Sequence, residues 1–353
     1  MSVDADKNVN QSSGIAKKLV ISGLTLCILF ISFSIAFWFW AASQMETSLN
    51  RWSEKQRSRG FEISHGPLSI SGFPFLVRAD LKEPRIKSPE GWYWQTPHLS
   101  AEATPWSPLS MVVDLSAEHF IGGLPNNHPP ITIESELVKS TAQLTLEGEL
   151  LNARLQADKL VVTRENRHPL TITTLDTTLG PLKPASVNNP LQEFNILIKA
   201  QDINHPELDK TPLKGPISLL NLDGTLYGTV PKAKLKKALH IWRDTGGFLS
   251  LHDMSLRWGP LLLDARGKIA VDNLLRPSGN LDSRIEGAGA VVKKLEKTGL
   301  INKGQSFGIK LSLAALGKTN ERGRHEIEVP LIMKDGWLSI GPVTLLKLPP
   351  IAK

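Results

Sequence analysis

The chain has 353 residues, of which 41% are hydrophobic and 21% charged, with a formal net charge of +7. These proportions are close to those of folded soluble proteins, so they exclude a wholly disordered chain and a membrane protein with many spans. The basic residues are spread among acidic ones, which favours an ordinary solvated surface over a dedicated anion-binding patch.

The first predicted element is a membrane span from Leu19 to Ala42. This segment carries no charge over 24 residues, and a helix of that length reaches about 36 Å, against about 30 Å for the hydrocarbon core of a bilayer. Trp38 and Trp40 lie near its end, where indole rings favour the interface and their N–H groups can meet water. A cleaved signal peptide is the alternative, but its apolar region is usually only about 7–15 residues long. We therefore predict a retained anchor.

The orientation of this span depends on the residues that flank it. Lys17 and Lys18 adjoin the apolar segment, whereas the first basic residue beyond it is Arg51. Long domains are translocated largely regardless of their charge. We therefore expect residues 1–18 to be a cytoplasmic tail of a bacterial inner-membrane protein whose body is periplasmic.

The body after the span is predicted to be rich in β-strands. Residues 43–60 continue the helix as a stalk that ends at Gly60, and the hydrophobic period then changes to two. About a dozen short alternating segments predict antiparallel strands, including IKLSLAAL at 309–316. Three segments are interpreted as hairpins because turn-forming residues interrupt them: LTLEGELLNARLQA (144–157), LLNLDGTLYGTV (219–230) and LLLDARGKIAVD (261–272).

Two amphipathic helices interrupt this pattern, at 231–244 and 288–298. The predicted class is α+β, mainly β, with long antiparallel sheets of hairpins braced by these helices. The proline-containing loop at 179–190 predicts a division between a first lobe, 61–180, and a second lobe, 191–353.

No motif predicts a catalytic, cofactor or metal site. The nine histidines form no HxH, HxxxH or HExxH pair, and no GxSxG occurs. The sequence 317–319, GKT, lacks the upstream glycine of a phosphate loop and is interpreted as part of a hairpin turn. His252 and Asp253 lie beside Ser250 and Ser255, but neighbours on a strand point to opposite faces, so we predict no triad.

Two surface features allow a ligand. Lys232, Lys234, Lys236 and Lys237 could contact anionic headgroups, although a solvated helix face is favoured. The aromatic cluster 92–94 could bind a sugar or lipid, although packing under a loop is favoured. Because no basic residues are interleaved with these rings, we predict no nucleic-acid partner.

Several phrases together resemble the DUF2125 family of alphaproteobacterial membrane-anchored proteins. The resemblance covers nearly the whole chain and implies a periplasmic, β-rich body, but no known activity and no catalytic residues. The residues that carry it are Gly72, Phe73, Pro74 and Phe75; Trp242, Gly246 and Gly247; Trp258, Gly259 and Pro260; and Gly341 and Pro342 of the closing DGWLSIGP phrase.

The predicted architecture also resembles, more distantly, that of AsmA-like envelope proteins, in which repeated β-hairpins are attached to one inner-membrane helix. This likeness implies a β-groove that shelters lipid or another hydrophobic envelope component. The alternatives are a scaffold that binds another envelope protein through a sheet edge and, more remotely, a hydrolase. The membrane bilayer is the one partner that every alternative requires.

Overall fold

The computed structural model describes residues 5–104, 106–124, 128–145, 150–180, 192–229, 231, 233, 235–319, 325–340 and 343–352. The helices are α1 Ala5–Arg57, α2 Pro206–Asp209, α3 Leu235–Asp244, α4 Ala288–Lys297 and α5 Lys303–Leu316. The strands are β1 Glu62–Ser64, β2 Leu68–Ser71, β3 Val77–Lys82, β4 Arg85–Lys87, β5 Tyr93–Gln95, β6 His98–Thr104, β7 Ser107–Asp114, β8 His119–Gly122, β9 Ile131–Glu134, β10 Leu137–Leu144, β11 Leu150–Arg164, β12 Leu170–Leu179, β13 Glu193–Ile203, β14 Ile217–Tyr227, β15 Phe248–Trp258, β16 Leu261–Val271, β17 Pro277–Glu286, β18 Gly317–Thr319, β19 His325–Lys334, β20 Trp337–Ile340 and β21 Val343–Lys347.

The predicted span and stalk form one continuous helix, α1. Within the described part of the chain, α1 carries the one segment that is long and apolar enough to cross a membrane, and its apolar side chains are mostly exposed. A helix of this length and composition can cross the hydrocarbon core of a bilayer with its backbone hydrogen bonds satisfied internally. The finding supports a membrane anchor near the N-terminus.

The strands are antiparallel, as predicted, and they form a single sheet. Its main ladder follows the chain in the order β2, β3, β6, β7, β10, β11, β12, β13, β14, β15, β16, β17, β19, β20, β21. A second ladder, β1, β4, β5, β8, β9, joins the C-terminal part of β11.

The number of strands exceeds the predicted dozen because long strands are interrupted. Glu83, with φ 48°, separates β3 from β4. Lys159, with φ 51°, lies where β11 changes partners from β10 to β9. Such left-handed residues bend a strand without ending it. β3 and β4 therefore continue one another as one longer strand, as do the two parts of β11. On each side of the break, side chains alternate between the two faces of the sheet.

Two of the three predicted hairpins are wrong. β10 and β11 do pair as a hairpin, but LLNLDGTLYGTV contributes a single strand, β14, and LLLDARGKIAVD a single strand, β16. Gly267 lies inside β16, where an added Cβ would be 2.4 Å from the carbonyl oxygen of Asn280. This glycine allows a close approach of β17 and does not form a turn.

The strand predicted at 309–316 is also wrong, because these residues form the C-terminal part of α5. The Asn302 side chain accepts from the Gln305 backbone N–H, and the Gln305 side chain accepts from the Asn302 N–H. This capping box starts a helix and overrides the period-two pattern that follows it. After the helix, the GKT sequence forms β18, which pairs with β19.

The two predicted amphipathic helices are present as α3 and α4, and each buries an apolar residue, Trp242 and Val292 respectively. Most of the loop proposed to divide two lobes lies outside the described residues. On either side of it, β12 and β13 pair directly, from Thr174 with Gln201 to Leu179 with Ile196. The division into lobes therefore stays a prediction.

Candidate functional site

One face of the main ladder carries a row of apolar residues and glycines that runs from β3 to β20. Residues that pair across antiparallel strands share a face. A single row crosses the sheet through these pairs: Val77, Ala103, Met111, Ala142, Ala153, Leu179, Ile196, Gly224, Leu251, Gly267, Leu281, Leu331 and Ile340. We call this side of the sheet the apolar face and the other side the polar face.

The apolar face is covered at its C-terminal end, on β15–β19, which we call the closed half. Leu251, Leu263, Leu281, Ile285 and Leu331 are among the buried residues of its hydrophobic core. Partly buried residues of α4, α5 and β20 pack against that core: Ala288, Leu313, Leu338 and Ile340. The closed half is thus a filled interior, in which α4 and α5 pack over the sheet and β20 continues it.

The same face is not covered in the same way on β6–β13, which we call the open half. Its larger side chains, including Met111, Leu155, Leu175, Ile196 and Ile198, remain partly exposed, although Val138, Ala157 and Ala200 on the same face are buried. Among the described residues, neither hydrophobic cluster includes a residue of β6–β13. An amphipathic face that ordinary folding would cover is therefore left partly accessible.

The sheet touches the membrane helix at the β2–β3 turn. Phe73 packs edge-on against Trp38, with ring centroids 5.4 Å apart, and lies 6.0 Å from the Phe39 ring. The Trp38 indole N–H, which was expected to meet water, instead donates to the carbonyl oxygen of Leu76 at 2.9 Å. The predicted anchor residue Trp38 and the signature residue Phe73 therefore meet, which no spacing in the sequence indicated. Trp40 is exposed.

The polar face carries a depression of about 540 Å³ over the closed half. Its lining is mostly charged and includes His252, Asp253, Asp264, Arg266, Arg284 and Glu328. Arg257 and Asp264 pair at 2.8 Å, and Arg284 and Glu328 at 3.1 Å. Paired charges of this kind form a solvated surface and leave little uncompensated field for a ligand.

The expectation that His252 and Asp253 point to opposite faces is wrong. The pairing of β14 with β15 shifts register between Asp223 and Gly224, and the pairing of β15 with β16 shifts there too. At this β-bulge His252 contacts Asp223, and Asp253 accepts from the Asn221 side chain. A bulge inserts an extra residue, so neighbouring side chains can share a face.

The contacts of His252 resemble an acid–histidine–hydroxyl series but are loose. Nδ1 lies 3.5 Å from Asp223 Oδ1, and Nε2 lies 3.4 Å from Thr225 Oγ1. The Thr225 hydroxyl donates to Asn195 Oδ1 at 2.9 Å, and the imidazole is half exposed. Activation of a nucleophile requires a base within about 2.6–3.2 Å. The arrangement supports no specific reaction.

An ion pair crosses the polar face in the open half. The Arg154 guanidinium donates to Asp176 Oδ1 at 2.9 Å, and Gln156 donates to Oδ2 at 3.5 Å. The hydrogen bond from Arg154 holds the pKa of the Asp176 carboxyl below its usual value. The pair links β11 to β12 on the side of the sheet opposite the partly exposed apolar residues.

The aromatic cluster 92–94 is used for packing. Trp92 contacts Phe61, Tyr93 contacts Phe120, and Trp94 stacks on His119. Of the four lysines considered as headgroup ligands, Lys236 and Lys237 are exposed on α3, whereas Lys232 and Lys234 lie outside the described residues.

The remaining signature residues lie at closely packed turns. Trp242 is buried, and its indole donates to the Tyr227 carbonyl at 2.7 Å; an added Cβ at Gly247 would lie 2.4 Å from this ring.

Trp258 donates to the Gly215 carbonyl at 3.1 Å, Gly246 and Gly259 have φ 77° and 54°, and Pro260 completes the β15–β16 turn. Gly341 and Pro342 lie outside the described residues, and Lys17 and Lys18 belong to α1.

Across the described part of the chain, no group of three or more His, Cys, Asp or Glu is placed to hold a metal ion.

Comparisons with known proteins identify the family but no activity. The family model DUF2125, described as an uncharacterized protein conserved in bacteria, matches residues 38–349. The chain therefore belongs to this family. No curated protein and no solved structure matches it.

Proposed function

We propose that this DUF2125 protein is held in the bacterial inner membrane by α1, with its β-rich body in the periplasm. On the open half of its apolar face, the body binds the acyl chains of lipid or a similarly hydrophobic envelope component. The observation that carries the proposal is the contrast along one face of one sheet. The closed half is covered by its own helices, whereas large apolar side chains of the open half stay partly exposed.

The residues of the open half suit an elongated apolar ligand. Small side chains such as Ala103, Ala142 and Ala153 form a shallow depression in this face, and larger side chains such as Ile196 and Ile198 border the depression. Contact with an acyl chain would remove this apolar area from water, which stabilises the complex by roughly 25 cal/mol for each Å². No polar group of the row would lose a hydrogen bond.

The test is photocrosslinking of the full-length protein in native-lipid nanodiscs with a phospholipid that carries a diazirine in its acyl chain. We expect labelled peptides from β11–β14 in addition to α1, whose labelling is the internal positive control. Ile198→Asp should reduce labelling of the strands several-fold. Leu197→Asp is the matched control, because the next residue on β13 is also partly exposed but lies on the polar face. Labelling confined to α1, or equal loss in both variants, would refute the proposal.

A scaffold role is the second candidate. Within the described residues, β2 pairs only with β3, and β21 only with β20, so each offers a free strand edge to another envelope protein. In-cell crosslinking from residues of β21 would separate the two functions: one reproducible protein partner there favours the scaffold.

A further inference from the structure

The turns at one end of the strands form an edge of the sheet that is distinct from the edge strands of the main ladder, β2 and β21. This edge carries most of the exposed apolar side chains near the span. In a meander of antiparallel strands, every second turn returns to the same edge. The β2–β3 turn, the β6–β7 turn and the β10–β11 turn therefore share an edge, as the end pairs Ser71 with Arg78, Thr104 with Ser107, and Leu144 with Leu150 require.

The turns on this edge are unlike those on the opposite edge. Phe73, Phe75 and Trp106 are 52%, 51% and 64% exposed, and Leu150 and Leu151 are exposed as well. On the opposite edge, the β4–β5 turn at 88–92 and the β11–β12 turn at 165–169 are fully described and contain no exposed large hydrophobic residue. The apolar side chains are thus concentrated on one edge of the strands that adjoin α1.

The contact with α1 sets the depth of this edge. Phe73 lies against Trp38 and Phe39, which precede the predicted end of the span at Ala42 by three to four residues. At a rise of about 1.5 Å per residue, Phe73 is then roughly 5 Å on the membrane side of that end. An aromatic side chain at this depth lies in the bilayer interface, where such rings are favoured.

We infer that this edge is a second membrane contact, in which Phe73, Phe75, Trp106 and Leu150 rest in the leaflet from which the C-terminal end of the span emerges. The apolar face begins at the same edge, since Val77 pairs with Ala103 one residue beyond the turns. An acyl chain could therefore pass from the leaflet onto the open half without crossing water. This route rests on the proposed function, whereas the docking of the edge does not.

The test places an environment-sensitive fluorophore at single cysteines in the full-length protein. The native Cys27 is replaced by alanine, and the protein is reconstituted in vesicles of phosphatidylcholine and phosphatidylglycerol. Trp106→Cys and Leu150→Cys are the decisive positions, because the contact of Phe73 with α1 would bring residue 73 near lipid in any case. Phe307→Cys is the matched control, an exposed aromatic residue on α5, which follows β17 at the opposite edge.

We expect nitroxide-labelled lipid to quench positions 106 and 150 several-fold more than position 307, and aqueous iodide to quench them several-fold less. Equal access of iodide to all three positions would overturn the inference. If labels 106 and 150 are in the bilayer but acyl photocrosslinking of the open half fails, the docking stands and the proposed lipid binding is refuted. Phe75→Ser then tests the route, since it should lower crosslinking of β11–β14 while leaving that of α1 unchanged.

Discussion

The open and closed halves of the apolar face differ in what lies over them and not in the pattern of the strands beneath. The row of paired residues is apolar in both, from Ala103 in β6 to Leu331 in β19. In the closed half, Leu281 and Ile285 are buried beneath residues of α4 and α5. In the open half, Ile196 and Leu175 remain partly exposed.

A period-two pattern therefore determines an amphipathic sheet but not its cover. The cover of the closed half comes from the segment 287–316, inserted between β17 and β18. Among the described residues, no helix packs against β6–β13 to a comparable extent. An apolar face that is left accessible in this way is the basis of the proposed lipid binding.

The largest effect is expected from a cavity in the closed half. Leu281 is 4% exposed within the core, so Leu281→Ala should lower the free energy of unfolding by about 2–5 kcal/mol, through lost burial and an unfilled cavity. Thermal unfolding of the full-length protein in nanodiscs measures the change. An unchanged melting temperature would show that the closed half is not a filled core.

The second prediction concerns the smaller core formed by Trp242, Val271 and Leu275. Trp242→Phe removes the indole N–H that donates to the Tyr227 carbonyl, and a buried group left without its partner costs about 1–3 kcal/mol. The same unfolding measurement applies. Trp106→Phe is the control and should be neutral, because the ring is not buried within the protein and phenylalanine keeps an apolar aromatic side chain at this position.

The third prediction tests the open half directly. Ile196 pairs with Leu179 on the apolar face and is partly exposed, so Ile196→Ala should cost less than about 1.5 kcal/mol, well below the cost of Leu281→Ala. If lipid covers this surface, adding lipid to delipidated protein should stabilise the wild type more than the variant. A loss as large as that of Leu281→Ala would mean that the open half is covered after all.

Much of the architecture could be predicted from hydrophobic periodicity. The uncharged segment 19–42 predicted the apolar helix, and alternation predicted antiparallel strands. The amphipathic pattern located α3 and α4 because each has one apolar face and a glycine after its end. These are local signals, and a sheet or helix that satisfies them leaves few alternatives.

The errors arose where a neighbouring strand, and not the local sequence, determines the conformation. Gly267 was interpreted as part of a turn, but it allows the backbone of β17 to approach β16. His252 and Asp253 share a face because β14 and β16 impose a bulge on β15.

The two halves of the apolar face could not be told apart from sequence for a different, local reason, because the capping box that starts α5 was missed. The α5 helix that covers the closed half was itself predicted as a strand. The contact of Phe73 with Trp38 joins residues 35 positions apart, and no periodicity records it.

The smallest effect is expected from the ion pair of Arg154 and Asp176, which lies on the polar face of the open half and makes stability depend on pH. Arg154 holds the pKa of Asp176 below its usual value, so the ionised carboxylate contributes stability above the pKa of the unfolded chain, about 3.9, and loses it as the pH falls through the lower folded-state pKa. Asp176→Asn should therefore be slightly less stable than the wild type at pH 7, with the difference disappearing below about pH 4. Unfolding at both pH values, with Asp158→Asn as the exposed control on the same face, measures it. A difference that persists in acid would mean that the Asp176 side chain acts through packing, as the residues of the apolar face do. Charge pairing would then not be what holds the polar face of β11 against β12.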